Sequence, residues 1–206
     1  METQTYRGLL LLSGGFDSPV AGYLTQRKGG QLLALHFSSE PFTDAAPESK
    51  CRKIAELLGF DTLYIANLSK GLELISNDCS GKFYFVLMKR LMLRVAEKLA
   101  AKESCVFLVT GENLGQVSSQ TLRNLATINS AVQIPVIRPL ISYNKNEIIH
   151  LAKLIGTYDI SKGPELCDVL GPRHPSTAAK PETIAEEESK LDLEKLDAQV
   201  LETLRA

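Results

Sequence analysis

Six residues, Ser13-Gly14-Gly15-Phe16-Asp17-Ser18, place small side chains, a carboxylate and two hydroxyls where an apolar run ends. The run before them, Leu9-Leu10-Leu11-Leu12, reads as a strand buried on both faces, the kind found in parallel sheets covered by helices. After them, Ser18 is placed to cap a helix and Pro19 to occupy its first turn, where a missing N–H costs nothing. A strand, a glycine turn and a helix in that order aim free backbone N–H groups and the positive end of a helix dipole at one spot, which suits a phosphate. The stretch is not the G-x-x-x-x-G-K-[ST] loop, because no lysine follows the second glycine. A plain strand-to-helix turn is the alternative, but a turn needs neither the Asp17 carboxylate nor two serines.

The elements that must position this loop alternate along the chain. A helix over Pro19 to Lys28 is closed by Gly29-Gly30, and Gln31 to Phe37 is a second strand. A polar loop, Ser38 to Pro47, leads to an amphipathic helix with Ile54, Ala55, Leu57 and Leu58 on one face, ended by Gly59. Asp61 to Ala66 reads as a third strand and Asn67 to Gly81 as loop with at most one helical turn. A long helix from Phe83 to Ala101 carries Lys89, Arg90, Arg94 and Lys98. Cys105 to Thr110 is a fourth strand, followed by a helix to Ile128 and a short strand, Ile134 to Ile137. Asn144-Lys145-Asn146-Glu147 is a capping box that opens a helix to Ile155. Thr157 to Pro181, with four prolines, is too long for a mere connection. Glu182 to Arg205 reads as one acidic helix whose Leu191, Leu193, Leu196, Val200 and Leu204 face the domain or a partner. The alternation predicts a single α/β domain with about five parallel strands and helices on both faces. Ligands of such sheets bind beyond the carboxyl ends of the strands, so the loop starts at Ser13, His36, Thr110 and Arg138 should crowd one edge.

A chain of 206 residues buries about 70% of its unfolded surface, enough for one core without staples. No run reaches the roughly 18 apolar residues of a membrane span, and Met1 to Arg7 is polar with no signal-type core behind it. A cytoplasmic protein with no membrane association is expected. The four cysteines, at 51, 79, 105 and 167, fall in no zinc-like spacing and read as reduced thiols. A formal net charge of -1 lacks the basic footprint of an autonomous nucleic-acid binder.

The loop resembles the pyrophosphate-binding loop (PP-loop) of ATP pyrophosphatases, which split ATP between the α and β phosphates; under that resemblance Asp17 would hold Mg2+ beside the pyrophosphate. Val86-Leu87-Met88-Lys89-Arg90, Thr110 through Thr121, Arg138 through Lys145, Ile155-Gly156-Thr157 and Pro164-Glu165-Leu166-Cys167 resemble the catalytic domain of the tRNA 4-thiouridine synthetases, tRNA sulfurtransferases also tied to thiamine biosynthesis. The resemblance implies an adenine nucleotide α-hydrolase-like fold, with an ATP pyrophosphatase domain over residues 1–180 and an acidic helix over 181–206 packed on it. It implies that ATP adenylates the C4 oxygen of a tRNA uridine and that a persulfide sulfur displaces AMP to give 4-thiouridine. Carried over by position, the nucleotide lies against Leu11, Leu12, His36, Phe37, Lys89, Gly111 and Gln120 and on the loop residues Ser13, Gly14, Gly15, Asp17 and Ser18. Lys145 stabilises charge on the phosphates, and Cys167 carries the sulfur.

The residues themselves leave alternatives open. Phe37 is equally a core aromatic, Lys89 a solvated charge on an otherwise apolar helix, and Lys145 a surface lysine. Glu112 fixes its loop or reaches the site through water. Cys51 and Cys105 occupy ordinary buried positions, Cys79 is a candidate second thiol, and an iron-sulfur cluster would need about three or four thiolates that one chain without paired cysteines does not offer. The rhodanese-like, ferredoxin-like and THUMP modules of longer relatives lie outside these 206 residues, so a separate THUMP-type or sulfur-donor protein is expected to hold the tRNA or supply the sulfur. Two other functions fit the same loop: an ATP pyrophosphatase acting on a small sulfur or thiamine precursor, and a nucleotide-binding subunit that pairs through the C-terminal helix with a THUMP-bearing partner. The same helix offers a route to an oligomer.

Overall fold

The computed structural model describes residues 6–163 and 170–206. Five strands, β1 (Tyr6–Leu11), β2 (Gly30–Ser38), β3 (Leu63–Asn67), β4 (Phe107–Val109) and β5 (Val136–Ile137), form one parallel sheet in the order β3-β2-β1-β4-β5. The connections carry α1 (Asp17–Gln26), α2 (Ala46–Leu58), α3 (Ser69–Asp78), α4 (Tyr84–Lys102) and α5 (Leu122–Asn129); α6 (Lys145–Leu154), α7 (Tyr158–Ser161), α8 (Pro181–Glu188) and α9 (Leu193–Glu202) follow β5. The fold class is the one the alternation predicts.

The leucine run feeds both faces of the sheet, because successive side chains of a strand point to opposite sides. Leu9 packs with Leu33, Leu35 and the apolar face of α4, whereas Leu10 and Leu12 pack with Val20, Ala21, Ile54 and Ile148 on the other side. The chain winds one way through β2 and β3 and the other way through β4 and β5, so the order reverses between β1 and β4. That reversal leaves a crevice at the carboxyl end of β1, where the glycine loop begins.

Several local expectations are corrected. Asn67 to Gly81 is mostly the helix α3, which forms because Leu72 and Ile75, three positions apart, are both buried against the α4 layer. Leu57 is 50% exposed, so the buried face of α2 is Cys51, Ile54 and Ala55. Ser18 does not cap α1, which starts one residue earlier at Asp17. The C-terminal stretch is two helices rather than one, with Asp192 accepting the Lys195 N–H at 3.1 Å to start α9 afresh.

Acidic side chains of the last two helices turn inward instead of facing water. Glu188 takes Arg90 and Arg94 at 2.7 Å each, and Asp197 takes Arg94 at 3.2 Å and Lys98 at 3.0 Å. Ile184, Leu196 and Val200 join the core beneath this clasp. The positive residues of α4 are thus largely paired within the fold.

Candidate active site

The glycine loop is closed from inside the first turn of α1. Ser18 Oγ accepts the Ser13 N–H at 2.8 Å and donates to the Ser13 carbonyl at 3.2 Å, while the Gly15 N–H reaches Ser13 Oγ at 3.4 Å. Both serines are engaged in holding the loop's shape, and the opening N–H groups of α1 have no intrahelical partners. The loop after β4 rides directly over this turn. A Cβ on Gly111 would stand 2.6 Å from Ser18 N and 2.8 Å from the Asp17 carbonyl carbon, both backbone atoms, so only glycine permits the approach.

Two cavities flank the loop. The larger, about 280 Å³, lies on the β2 side and is lined by Leu11, Leu12, Ser13, Gly14, Gly15, His36 and Phe37. The second, about 230 Å³, lies at the β4 side and is lined by Asp17, Ser18, Lys89, Gly111 and Gln120, with Leu11, Ser13 and Met92 shared between the two. The residues expected to surround one nucleotide therefore divide between two adjoining spaces. Phe37 both lines the larger cavity and packs on the core, so its two readings hold together.

His36 is buried, with Nδ1 3.1 Å from the Leu12 carbonyl and 3.2 Å from Cys51 Sγ. Burial pushes its pKa below the ordinary value, so the ring is neutral. With Nδ1–H donating to Leu12, Nε2 carries the lone pair, and that buried atom has no partner among the described residues.

Lys89 is not a solvated charge. Its Nζ lies 2.7 Å from Glu112 Oε1, while Glu112 Oε2 takes Arg138 Nε at 2.8 Å and the Thr110 hydroxyl at 3.1 Å. Burial alone would raise the Glu112 carboxyl, but the Lys89 and Arg138 charges and their hydrogen bonds outweigh it and hold it at about 2. Glu112 thus knits α4, the end of β4 and the end of β5. Gln120 sits buried in a 3-10 turn, Ser118–Gln120, with Oε1 unpartnered among the described residues.

Lys145, the first residue of α6, brings its ammonium 3.4 Å from Asp17 Oδ1 and 5.7 Å from the centre of the Phe16 ring. The Asn144 and Glu147 capping box that fixes this helix start is present as the sequence predicts. Cys167 lies outside the described residues. Cys79 is buried with Sγ donating to the Glu187 carbonyl at 3.5 Å, and burial pushes its thiol up to about 11; that protonated, covered group is no second thiol at the site. Among the described residues, no cluster of three or more His, Cys, Asp or Glu side chains forms a metal cage.

Sequence reasoning missed Ser161 and Lys50. Ser161, on α7, is fully buried and donates to the Gly15 carbonyl at 3.1 Å, bracing the loop from the segment that the sequence marks as too long for a mere connection.

The family model described as "Thiamine biosynthesis protein (ThiI)" matches residues 3–193. The chain is 44% identical over 206 residues to a probable tRNA sulfurtransferase of Moorella thermoacetica, covering 97% of this chain and 53% of that protein. It is 42% identical to the probable tRNA sulfurtransferase of Coxiella burnetii, covering 96% of this chain and 52% of that one. A solved 4-thiouridine synthetase–RNA complex with bound ATP superposes with a TM-score of 0.92 at 37% identity, over 97% of this chain and 54% of that chain. An NMN synthetase from Francisella tularensis shares the fold alone, at a TM-score of 0.60 and 16% identity over 98% of this chain and 82% of that chain. The chain spans about half the length of the curated relatives it matches. It belongs to the thiamine biosynthesis protein (ThiI) family.

Proposed function

We propose that the chain is the ATP-using catalytic unit of a tRNA uridine 4-sulfurtransferase, residues 1–180 carrying the site and 181–206 packed against them. The observation that carries this reading is the Ser13–Ser18 loop at the sheet's reversal point, with Asp17 and Lys145 3.4 Å apart beside it. The relatives' names support it, as do the RNA and ATP bound in the similar 4-thiouridine synthetase complex.

ATP lies with its adenosine in the larger cavity, against Leu11, Leu12, His36 and Phe37, and its phosphates on the loop amides. The C4 oxygen of the uridine attacks the α-phosphorus, and pyrophosphate leaves with the bonding electrons. Lys145 holds the charge that grows on the phosphoryl oxygens, and Lys89, Gly111 and Gln120 border the space beyond, where the acceptor base and α-phosphate meet. The terminal sulfur of a persulfide on Cys167 then attacks C4, and AMP leaves with the original oxygen; a thiolate of the separate sulfur-donor protein attacks the Cys167 sulfur, forming a disulfide and releasing 4-thiouridine. Asp17 suits Mg2+, which takes one or two carboxylates and completes its shell with water and substrate phosphates; bound there, the ion would offset pyrophosphate charge. We place the protein in the cytoplasm, working with tRNA and with a separate THUMP-type or sulfur-donor protein; among the described residues no helix is long and apolar enough to cross a membrane.

The test is pyrophosphate release from labelled ATP, with and without bulk unmodified tRNA, followed by nucleoside analysis after adding a persulfide sulfur donor and a thiol. Release that rises with tRNA, with new 4-thiouridine, is the expected result. ATP binding with no tRNA-stimulated release, in the presence of such a partner, would assign the site to another substrate.

A further inference from the structure

Lys50 stands in the first half of α2 and lays its side chain across the glycine loop. A Cβ on Gly14 would be 3.1 Å from Lys50 Cδ and 3.3 Å from Lys50 Cβ, so the stem rests where a side chain at position 14 would be. Its Nζ donates to the Ser161 carbonyl at a long 3.4 Å, and the same serine's hydroxyl holds the Gly15 carbonyl. The ammonium is therefore fixed at the Gly14–Gly15 end of the loop, and Lys50 lines the larger cavity.

The other cations around the loop already have carboxylates: Lys145 has Asp17, Lys89 and Arg138 share Glu112, and Lys162 has Asp159. Lys50 forms no ion pair within 4.0 Å among the described residues. Asp44 also lines this cavity, but one of its carboxylate oxygens accepts the Ala46 N–H at 3.0 Å. A half-buried ammonium with three donors and one weak carbonyl partner is poorly compensated, and an anion in the cavity would complete it.

We infer that Lys50 is a second phosphate-holding cation, which takes the terminal phosphates of the nucleotide at the Gly14 end of the loop while Lys145 acts at the Asp17 end. This rests on the ATP reading above and deepens it. Two lysines gripping opposite ends of the pyrophosphoryl group would hold it in line for departure and offset the charge it carries away.

The test compares equilibrium binding of magnesium-ATP and of AMP, which lacks the terminal phosphates, to the full chain and its Lys50→Met and Lys50→Arg variants. Lys50→Met should weaken ATP about tenfold while AMP changes by less than about twofold, and Lys50→Arg should keep most of the preference. Lys50→Gln gives the same comparison if the methionine variant does not fold. Equal losses for ATP and AMP, or none, would overturn the assignment and leave the ATP reading standing. An unsubstituted chain that binds neither nucleotide would overturn both.

Discussion

Lys145 Nζ and Asp17 Oδ1 are 3.4 Å apart although 128 positions separate them in the chain, one opening α6 and the other opening α1. Each helix start is set independently, α6 by its capping box and α1 by the serine-closed loop, so the pair meets without either side chain organising the other. Both side chains remain partly exposed, which leaves them able to part around a substrate phosphate.

Asp17→Asn keeps the shape of the side chain and removes its charge. Pyrophosphate release should fall by roughly a hundredfold or more while the thermal midpoint stays close to the parent's, since Asp17 closes no part of the loop. Release at the parent rate would remove Asp17 from the metal role.

Glu112→Gln should strike the fold as well as the activity. It leaves Lys89 and Arg138 with a neutral partner in a covered place, a loss of roughly 3–5 kcal/mol that calorimetry would show. The parent carries a related acid sensitivity. Because the folded carboxyl is held down from the ordinary 4.5 to about 2, its contribution is complete above the unfolded value and is lost as pH falls through that window. Acid titration of the Glu112→Gln variant should show a correspondingly flatter loss of stability across the same range.

Gly111→Ala should be disruptive despite adding one methyl group. The new carbon would meet backbone at 2.6 and 2.8 Å, with no side chain to swing aside. A cost of roughly 1–3 kcal/mol is expected, together with a loss of ATP affinity as the start of α1 shifts. A variant with parent stability and affinity would show that the β4 loop is not seated on the helix start.

Cys167→Ser should separate the two half-reactions. Adenylation, read as tRNA-stimulated pyrophosphate release, should continue, while 4-thiouridine should no longer form. Thiouridine from the serine variant would assign sulfur transfer to another group.

The sheet and the loop were legible because their signals are local: a continuous leucine run, a glycine pair and a capping box each specify their own segment. Glu112, Thr110 and Arg138 were legible only as neighbours on one sheet edge; their meeting depends on β4 and β5 pairing, which no local pattern records. Helix α3 was hidden by its own polarity, since Leu72 and Ile75 are too few to reveal a period until α4 covers them. Lys50 was invisible in principle: a lysine on a helix looks solvated unless one knows that a glycine on a neighbouring loop leaves it room to lie down.

The clasp between α4 and the last two helices bears on how the protein can be divided. Arg90 and Arg94 follow Lys89 within two turns of one helix, and their charges are met by Glu188 and Asp197. A fragment cut before Pro181 would strip the carboxylates from two arginines and uncover the core that Ile184, Leu196 and Val200 seal. Such a piece should be recovered insoluble or partly melted, because the residues on both sides of position 180 fold as one cooperative unit and offer no site for a clean dissection there.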